Sequence, residues 1–297
     1  MPYDNIHIIF FLASVLIGCR SMRAETDLIS ELQQKSEKEG LALVRLRGNL
    51  VDLIPFGSDL IHCVRGNTGF ILTGISPDGL KVIIMDYQGN LTINRIDGQV
   101  LMATSALKFP NMQSWLSPDG KRLLFLTLSN SSISGLYIAD LTSNRVEFLE
   151  RELPPPGLSY GLSKSAGWSR DGTSVVYAHE RQIIKLDLGS RMKSTLANGT
   201  NPSWSPDGKW IAYKGEDGTA RLIASDRSLQ KDIMPGHQIL GYLHWSPDSE
   251  YLMFGENFKP DLLEAFERFG SSSRLSVYRI RDGAVAPVYW SGMKGGS

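Results

Sequence analysis

The chain carries no surplus of either charge: 31 Lys and Arg balance 31 Asp and Glu among its 297 residues. Neutralising nucleic-acid phosphates takes a basic excess, so this balance excludes a nucleic-acid partner. It also excludes a strongly acidic or basic disordered tail as the main part of the chain. Cysteine is nearly missing, with only Cys19 and Cys63, so there is no disulfide framework. Cys63 reads as a small buried hydrophobe. Long apolar runs are missing too. The longest, Ile6 to Gly18, falls short of the roughly 20 residues that a membrane-crossing helix needs. What remains is an ordinary globular mixture, 42% hydrophobic and 21% charged, with ample material for a core.

The Ile6–Gly18 run has the length of the apolar region of a secretory signal. It leads into Leu16-Ile17-Gly18-Cys19, which resembles the lipobox of bacterial lipoproteins, and the resemblance implies lipidation at Cys19. The first seven residues depart from an export signal, because they carry Asp4 and neither Lys nor Arg. An uncleaved apolar anchor, or a plain signal peptide with an incidental Cys19, stays open beside the lipoprotein reading, and so does a cytoplasmic chain. Residues 1–18 are thus read as a signal peptide and 19–40 as a tether. Thr26-Asp27 before Leu28, Ile29 and Leu32 allows the tether a short helix.

The main signal is an internal repeat. Ser-Pro-Asp-Gly stands at 76–79, 117–120 and 205–208, with the variants Ser-Arg-Asp-Gly at 169–172 and Ser-Pro-Asp-Ser at 246–249. The serines are 41, 52, 36 and 41 residues apart, near the length of one four-stranded propeller blade. Proline presets φ for a type I turn, Asp bonds the nearby backbone, and Gly takes the left-handed position that closes a hairpin. Each copy therefore predicts the turn between the first and second strands of a blade. Ser249 replaces that Gly, which strains the turn or changes its type.

Apolar residues flank every turn. Before it stand Ile75, Leu116, Trp168, Trp204 and Trp245. After it come Val82 and Ile84, Leu123 and Phe125, Val175 and Tyr177, Ile211 and Tyr213, and Leu252 and Phe254, each pair on one strand face. Third strands are predicted at 91–96, 136–141, 183–188, 220–224 and 275–280. The predicted fold is an all-β propeller over residues 41–290, with 291–297 a flexible tail. Six blades of four antiparallel strands are expected, residues 41–65 supplying the sixth; the alternative is five blades plus an N-terminal β-ribbon.

Trp204-Ser205-Pro206-Asp207-Gly208-Lys209-Trp210-Ile211 resembles the repeat of TolB-type propellers. The resemblance covers about residues 68 to 290 and leaves no room for the amino-terminal α/β domain of that family. It implies a periplasmic location and envelope-protein partners. The matching positions are turn and core positions, so no functional residue carries over.

Chemistry-bearing motifs are few. Gly157-Leu158-Ser159-Tyr160-Gly161 fits a nucleophile elbow but follows Pro154-Pro155-Pro156 and precedes a blade strand, where the required strand-to-helix context is absent. No catalytic residue is assigned, and an enzyme is not expected. None of the histidines (His7, His62, His179, His237, His244) pairs with Cys at ligand spacing, so neither metal nor cofactor is expected. The motif aspartates are explained by their turns.

The run 257–273 reads as an inserted helix with Leu262, Phe266 and Phe269 on one stripe. These three are the candidate partner-binding residues. The functional expectation is a non-enzymatic envelope scaffold, monomeric by itself and touching membrane only through a lipid or signal anchor. The alternatives are a propeller binding or cleaving a small molecule or glycan in its funnel, favoured if His62, His179 and His244 cluster, and a regulatory partner of a separate peptidase.

Overall fold

A computed structural model describes residues 8–9, 28, 30–32, 34–35, 42–47, 50–55, 62–65, 70–78, 81–86, 90–95, 99–104, 112–127, 135–151, 165–233, 238–257 and 273–288. At the N-terminal end β1 (Ile8–Ile9), β2 (Ala42–Arg47), β3 (Leu50–Pro55) and β4 (His62–Arg65) form one antiparallel sheet in that order.

The repeats then build five four-stranded meanders, the blades of a propeller. Blade 1 is β5 (Phe70–Ile75), β6 (Lys81–Asp86), β7 (Leu91–Arg95) and β8 (Val100–Thr104). Blade 2 is β9 (Met112–Leu116), β10 (Arg122–Thr127), β11 (Gly135–Asp140) and β12 (Val146–Arg151). Blade 3 is β13 (Ala166–Trp168), β14 (Ser174–His179), β15 (Gln182–Asp187) and β16 (Lys193–Asn198). Blade 4 is β17 (Thr200–Trp204), β18 (Trp210–Lys214), β19 (Ala220–Ala224) and β20 (Gln230–Asp232). Blade 5 is β21 (Ile239–Trp245), β22 (Tyr251–Asn257), β23 (Ser273–Arg279) and β24 (Val285–Val288).

First strands touch first strands around the ring: β5 meets β9, β9 meets β13, β13 meets β17 and β17 meets β21. At Gly74 of β5 the approach is so close that a Cβ would lie 1.9 Å from the Ser114 carbonyl oxygen of β9. Only glycine fits there.

The expectation of six blades is corrected to five. Residues 41–65 supply only three strands; the fourth in their sheet, Ile8 and Ile9 opposite Arg45 and Val44, comes from the segment read above as a signal peptide, which cleavage before Cys19 would remove. That sheet has no Ser-Pro-Asp-Gly turn to tie its strands as the blades are tied.

The second strands are buried on both faces. Val82 and Ile84, Leu123 and Phe125, and Val175 and Tyr177 are buried, and so are the residues between them, Ile83, Leu124 and Val176. Blades 2, 3 and 4 each lie between two other blades, so both sets of alternating side chains find a core. The core is accordingly a series of seam clusters. Ile83, Leu91 and Ile93 pack on Leu123 and Phe125 between blades 1 and 2, and Leu124 and Leu136 on Trp168 and Tyr177 between blades 2 and 3. Each such side chain contributes about 1.5–3 kcal/mol relative to exposure.

Candidate functional site: the turn face of the propeller

The repeat turns gather at one end of the blades. In each, the serine Oγ donates to the Asp two residues on, as in Ser117–Asp119, Ser169–Asp171, Ser205–Asp207 and Ser246–Asp248. The same Oγ accepts the backbone N–H five residues on, from Arg122, Ser174, Trp210 and Tyr251 at 2.9–3.0 Å. Gly120, Gly172 and Gly208 take φ of 71°, 69° and 80°, and Ser249 takes 63°. Ser249 thus keeps the turn type and carries the strain. In blades 2 to 5 the end of the third strand is pinned to this turn, with Leu141, Leu188, Ser225 and Ile280 N–H donating to Lys121, Thr173, Lys209 and Glu250 carbonyls at 2.9 Å. The turns that join first to second and third to fourth strands therefore lie on this one face, and the second-to-third turns at the opposite end.

Blade seams on this face carry cation–aromatic contacts. The Arg122 guanidinium lies 4.9 Å from the Trp168 ring, the Lys185 ammonium 5.5 Å from the Trp204 ring and the Lys231 ammonium 5.7 Å from the Tyr278 ring. Indole N–H groups of Trp168 and Trp245 donate to the Trp115 and Ser203 carbonyls of the preceding blade at 2.8 and 3.0 Å. Between blades 3 and 4 the seam opens into a cavity of about 490 Å³, lined among others by Asp171, Ser174, Trp204, Asp207 and Gly208. Hydrogen bonds from Ser169 and Thr173 hold the Asp171 carboxyl below its ordinary value. Burial opposes ionisation of Asp207, but bonds from Lys209 and Ser205 outweigh it, again lowering the pKa.

Blade 5 is covered by part of the N-terminal region. Residues 28, 30–32, 34 and 35 are helical, and Leu28 and Leu32, one turn apart, are buried. Glu31 accepts a hydrogen bond from the Tyr251 hydroxyl and pairs with Arg279 at 2.6 Å and Arg281 at 2.7 Å. Lys35 sits between Asp248 at 2.5 Å and Glu250 at 2.6 Å, 5.2 Å from the Tyr251 ring. Burial of Glu31 opposes its ionisation, but Tyr251, Arg281 and Arg279 outweigh that and lower its pKa. Burial likewise opposes the Lys35 charge, and Asp248 and Glu250 raise its pKa above the ordinary value.

A second polar cluster joins blades 2 and 3, where the Tyr177 hydroxyl donates to Glu150 Oε2 at 2.9 Å and Lys193 lies 2.5 Å from the same oxygen. His179 stands 4.0 Å from Glu150 Oε1.

Of the candidates named from sequence, Cys19, Leu262, Phe266, Phe269, the 157–161 motif and His237 lie outside the described residues, as does the His62 side chain. His179 ends β14 beside the fourth strand of blade 2, whereas His244 is on the first strand of blade 5. The described residues include no group of three or more His, Cys, Asp and Glu that could hold a metal ion. Glu31 and Lys35 were not among the sequence candidates. Their signal was the spacing of four residues they share with Leu28 and Leu32.

No family model matches the chain. An uncharacterized protein of Agrobacterium fabrum is 27% identical over 149 residues, which are 46% of this chain and 48% of the relative. The chain thus spans about half the length of that curated relative. Among solved structures, a TolB from Acinetobacter baumannii aligns with a TM-score of 0.58 at 16% identity, covering 91% of this chain and 70% of that one. A protein of Agrobacterium tumefaciens described as a TolB candidate aligns at 0.56 and 21% identity, over 77% of this chain and 84% of that one. An oligogalacturonate lyase in complex with manganese aligns at 0.52 and 11% identity, over 84% of this chain and 74% of that one. The fold defines an antiparallel β-propeller with a turn-lined face. More narrowly, it is a TolB-like β-propeller.

Proposed function

We propose that the protein is a non-enzymatic propeller of the cell envelope that binds a partner protein on its turn face. The observation that carries this reading is the clasp on blade 5. There the turn face holds a short helical segment, itself carrying two buried leucines, through a carboxylate set against two arginines and a tyrosine, and a lysine set between two carboxylates. Apolar anchors one turn apart, with opposite charges at the rim, are the chemistry by which a surface recognises a helix. The TolB-like fold supports an extracytoplasmic location and an envelope partner, and the lipobox-like run at Cys19 supports a lipid anchor.

The ionised groups of this face support a binding role rather than catalysis, because they serve turns and ion pairs. Asp119, Asp171 and Asp248 accept from their own motif serines, and Arg279 is shared between Glu31 and Asp282. Native mass spectrometry of protein extracted gently from its own envelope tests the reading. A co-purifying protein of fixed stoichiometry is expected, with a diacylglyceryl mass on Cys19. A bare chain carrying only a small-molecule mass would overturn the scaffold reading.

A further inference from the structure

The repeat puts one column of residues at every seam, and at one seam that column is short. Five residues after the motif serine stand Lys81, Arg122, Ser174, Trp210 and Tyr251. Between blades 2 and 3 Arg122 fills the seam, its Nη2 donating to the Gly172 carbonyl at 2.7 Å while its guanidinium faces the Trp168 ring. Between blades 3 and 4 the same ring and the same turn glycine recur as Trp204 and Gly208, but the column residue is Ser174. All three line the cavity of about 490 Å³, a volume within the usual range of ligand sites. The seams differ at the glycine: the Gly172 carbonyl accepts from Arg122, whereas the Gly208 carbonyl accepts the Trp204 indole N–H at 3.2 Å.

We propose that this slot binds a guanidinium group, supplied by an arginine side chain of a partner protein. The proposal rests on the reading of the turn face as a protein-binding surface and names one anchor on it. Three features suit a guanidinium. Trp204 offers the ring on which Arg122 stacks one seam earlier. Asp171 and Asp207, both in the cavity wall, are the acceptors a planar fork of N–H donors pairs with. Ser174 leaves the space that a long side chain needs.

Lys185 is the resident cation, with its ammonium 5.5 Å from the Trp204 ring. Its ammonium stands on a flexible aliphatic stem rising from β15 and acts as a placeholder that an incoming guanidinium displaces. Arg170 also lines the cavity, so the wall holds two cations against two carboxylates. An anionic ligand would use the cations and a guanidinium the carboxylates, and the two make opposite demands on Lys185.

The test titrates L-argininamide into the full chain by calorimetry, with glycinamide and inorganic phosphate as controls. Saturable argininamide binding is expected. Ser174→Arg, which rebuilds the sister seam, should weaken it by about tenfold or more, the worth of one charge-assisted contact. Lys185→Ala should tighten it several-fold, and this variant keeps the proposal testable if Ser174→Arg fails to fold. Weaker binding in Lys185→Ala, equal binding in Ser174→Arg, or argininamide no better than glycinamide would overturn the slot. Failure of the scaffold reading is separate, since it would appear as a wild-type chain that captures no partner while still binding argininamide.

Discussion

The Ser249 hydroxyl accepts the backbone N–H of Asp207 at 2.9 Å, joining the motif turns of blades 4 and 5. This bond explains the one departure from glycine at the fourth motif position among the described turns. The left-handed conformation at φ 63° costs a non-glycine residue roughly 1–2 kcal/mol, and the seam bond offsets that cost. Ser249→Ala keeps the strain and loses the bond, so it should destabilise by about 1–2 kcal/mol. Ser249→Gly relieves the strain as it loses the bond and should lie near the wild type. Urea unfolding of the two variants checks the order.

The clasp should loosen in acid. The Glu31 pKa is lowered in the folded chain, against the net effect of burial, by Tyr251, Arg281 and Arg279. A lowered carboxylate contributes stability that is fully present above its unfolded value, about 4.3, and lost as pH falls through the lower folded value. Amide protection in residues 28–35, taken relative to the intrinsic exchange rate at each pH, should therefore be high at neutral pH and fall in the acidic range below that value. Glu31→Gln should exchange faster already at neutral pH and respond less to acid.

Salt should act on the same contact. The side chain of Glu250 is half exposed and that of Arg281 more so, and pairs of this kind are screened as ionic strength rises. Raising salt from 0.05 to about 0.5 M should speed exchange in residues 28–35 and leave the strands of blades 3 and 4 unchanged. Equal protection throughout would mean that Leu28 and Leu32 alone hold the segment.

How much of this was legible in the sequence depended on the range of the contact. The motif turns were legible because serine, aspartate and glycine act on backbone within five residues of themselves. Second and third strands were placed to within a residue or two, although alternation predicted one buried face where the blades bury both. The clasp was not legible, because Glu31 and Arg279 are 248 positions apart and no local pattern links them. The polar run after Leu32 read as a tether, yet its Lys35 lies between two carboxylates of blade 5. The blade count failed for a related reason, since three short strands at 42–65 fit a blade in length while lacking its turn. The open seam was visible only as Ser174 in a column otherwise filled by Lys, Arg, Trp and Tyr.

Opening the sister seam should create a second slot. Arg122→Ser removes the guanidinium from the Trp168 ring and from the Gly172 carbonyl. The variant should lose about 1–3 kcal/mol of stability and bind a second equivalent of argininamide. Calorimetric stoichiometry checks this, and a count that stays at one would contradict the equivalence of the two seams.

The blade 2–3 cluster should behave as a unit. Tyr177→Phe and Glu150→Ala each remove the same hydrogen bond, so a double-mutant cycle should give a coupling of about 0.5–1.5 kcal/mol. Additive effects would assign the stability to packing of the Tyr177 ring alone.

The central claim is that the turn face is the partner-binding face. Photo-crosslinking amino acids placed one at a time at Lys121, Arg170 and Lys209 sample the exposed turns of that face, and Glu180 and Glu216 sample exposed turns at the opposite end. Crosslinking in the native envelope should yield one protein adduct of a single mass from the turn-face positions, lost when Arg279 is replaced by Glu together with Ser174→Arg. Adducts confined to Glu180 and Glu216, or none from any turn-face position, would contradict the account.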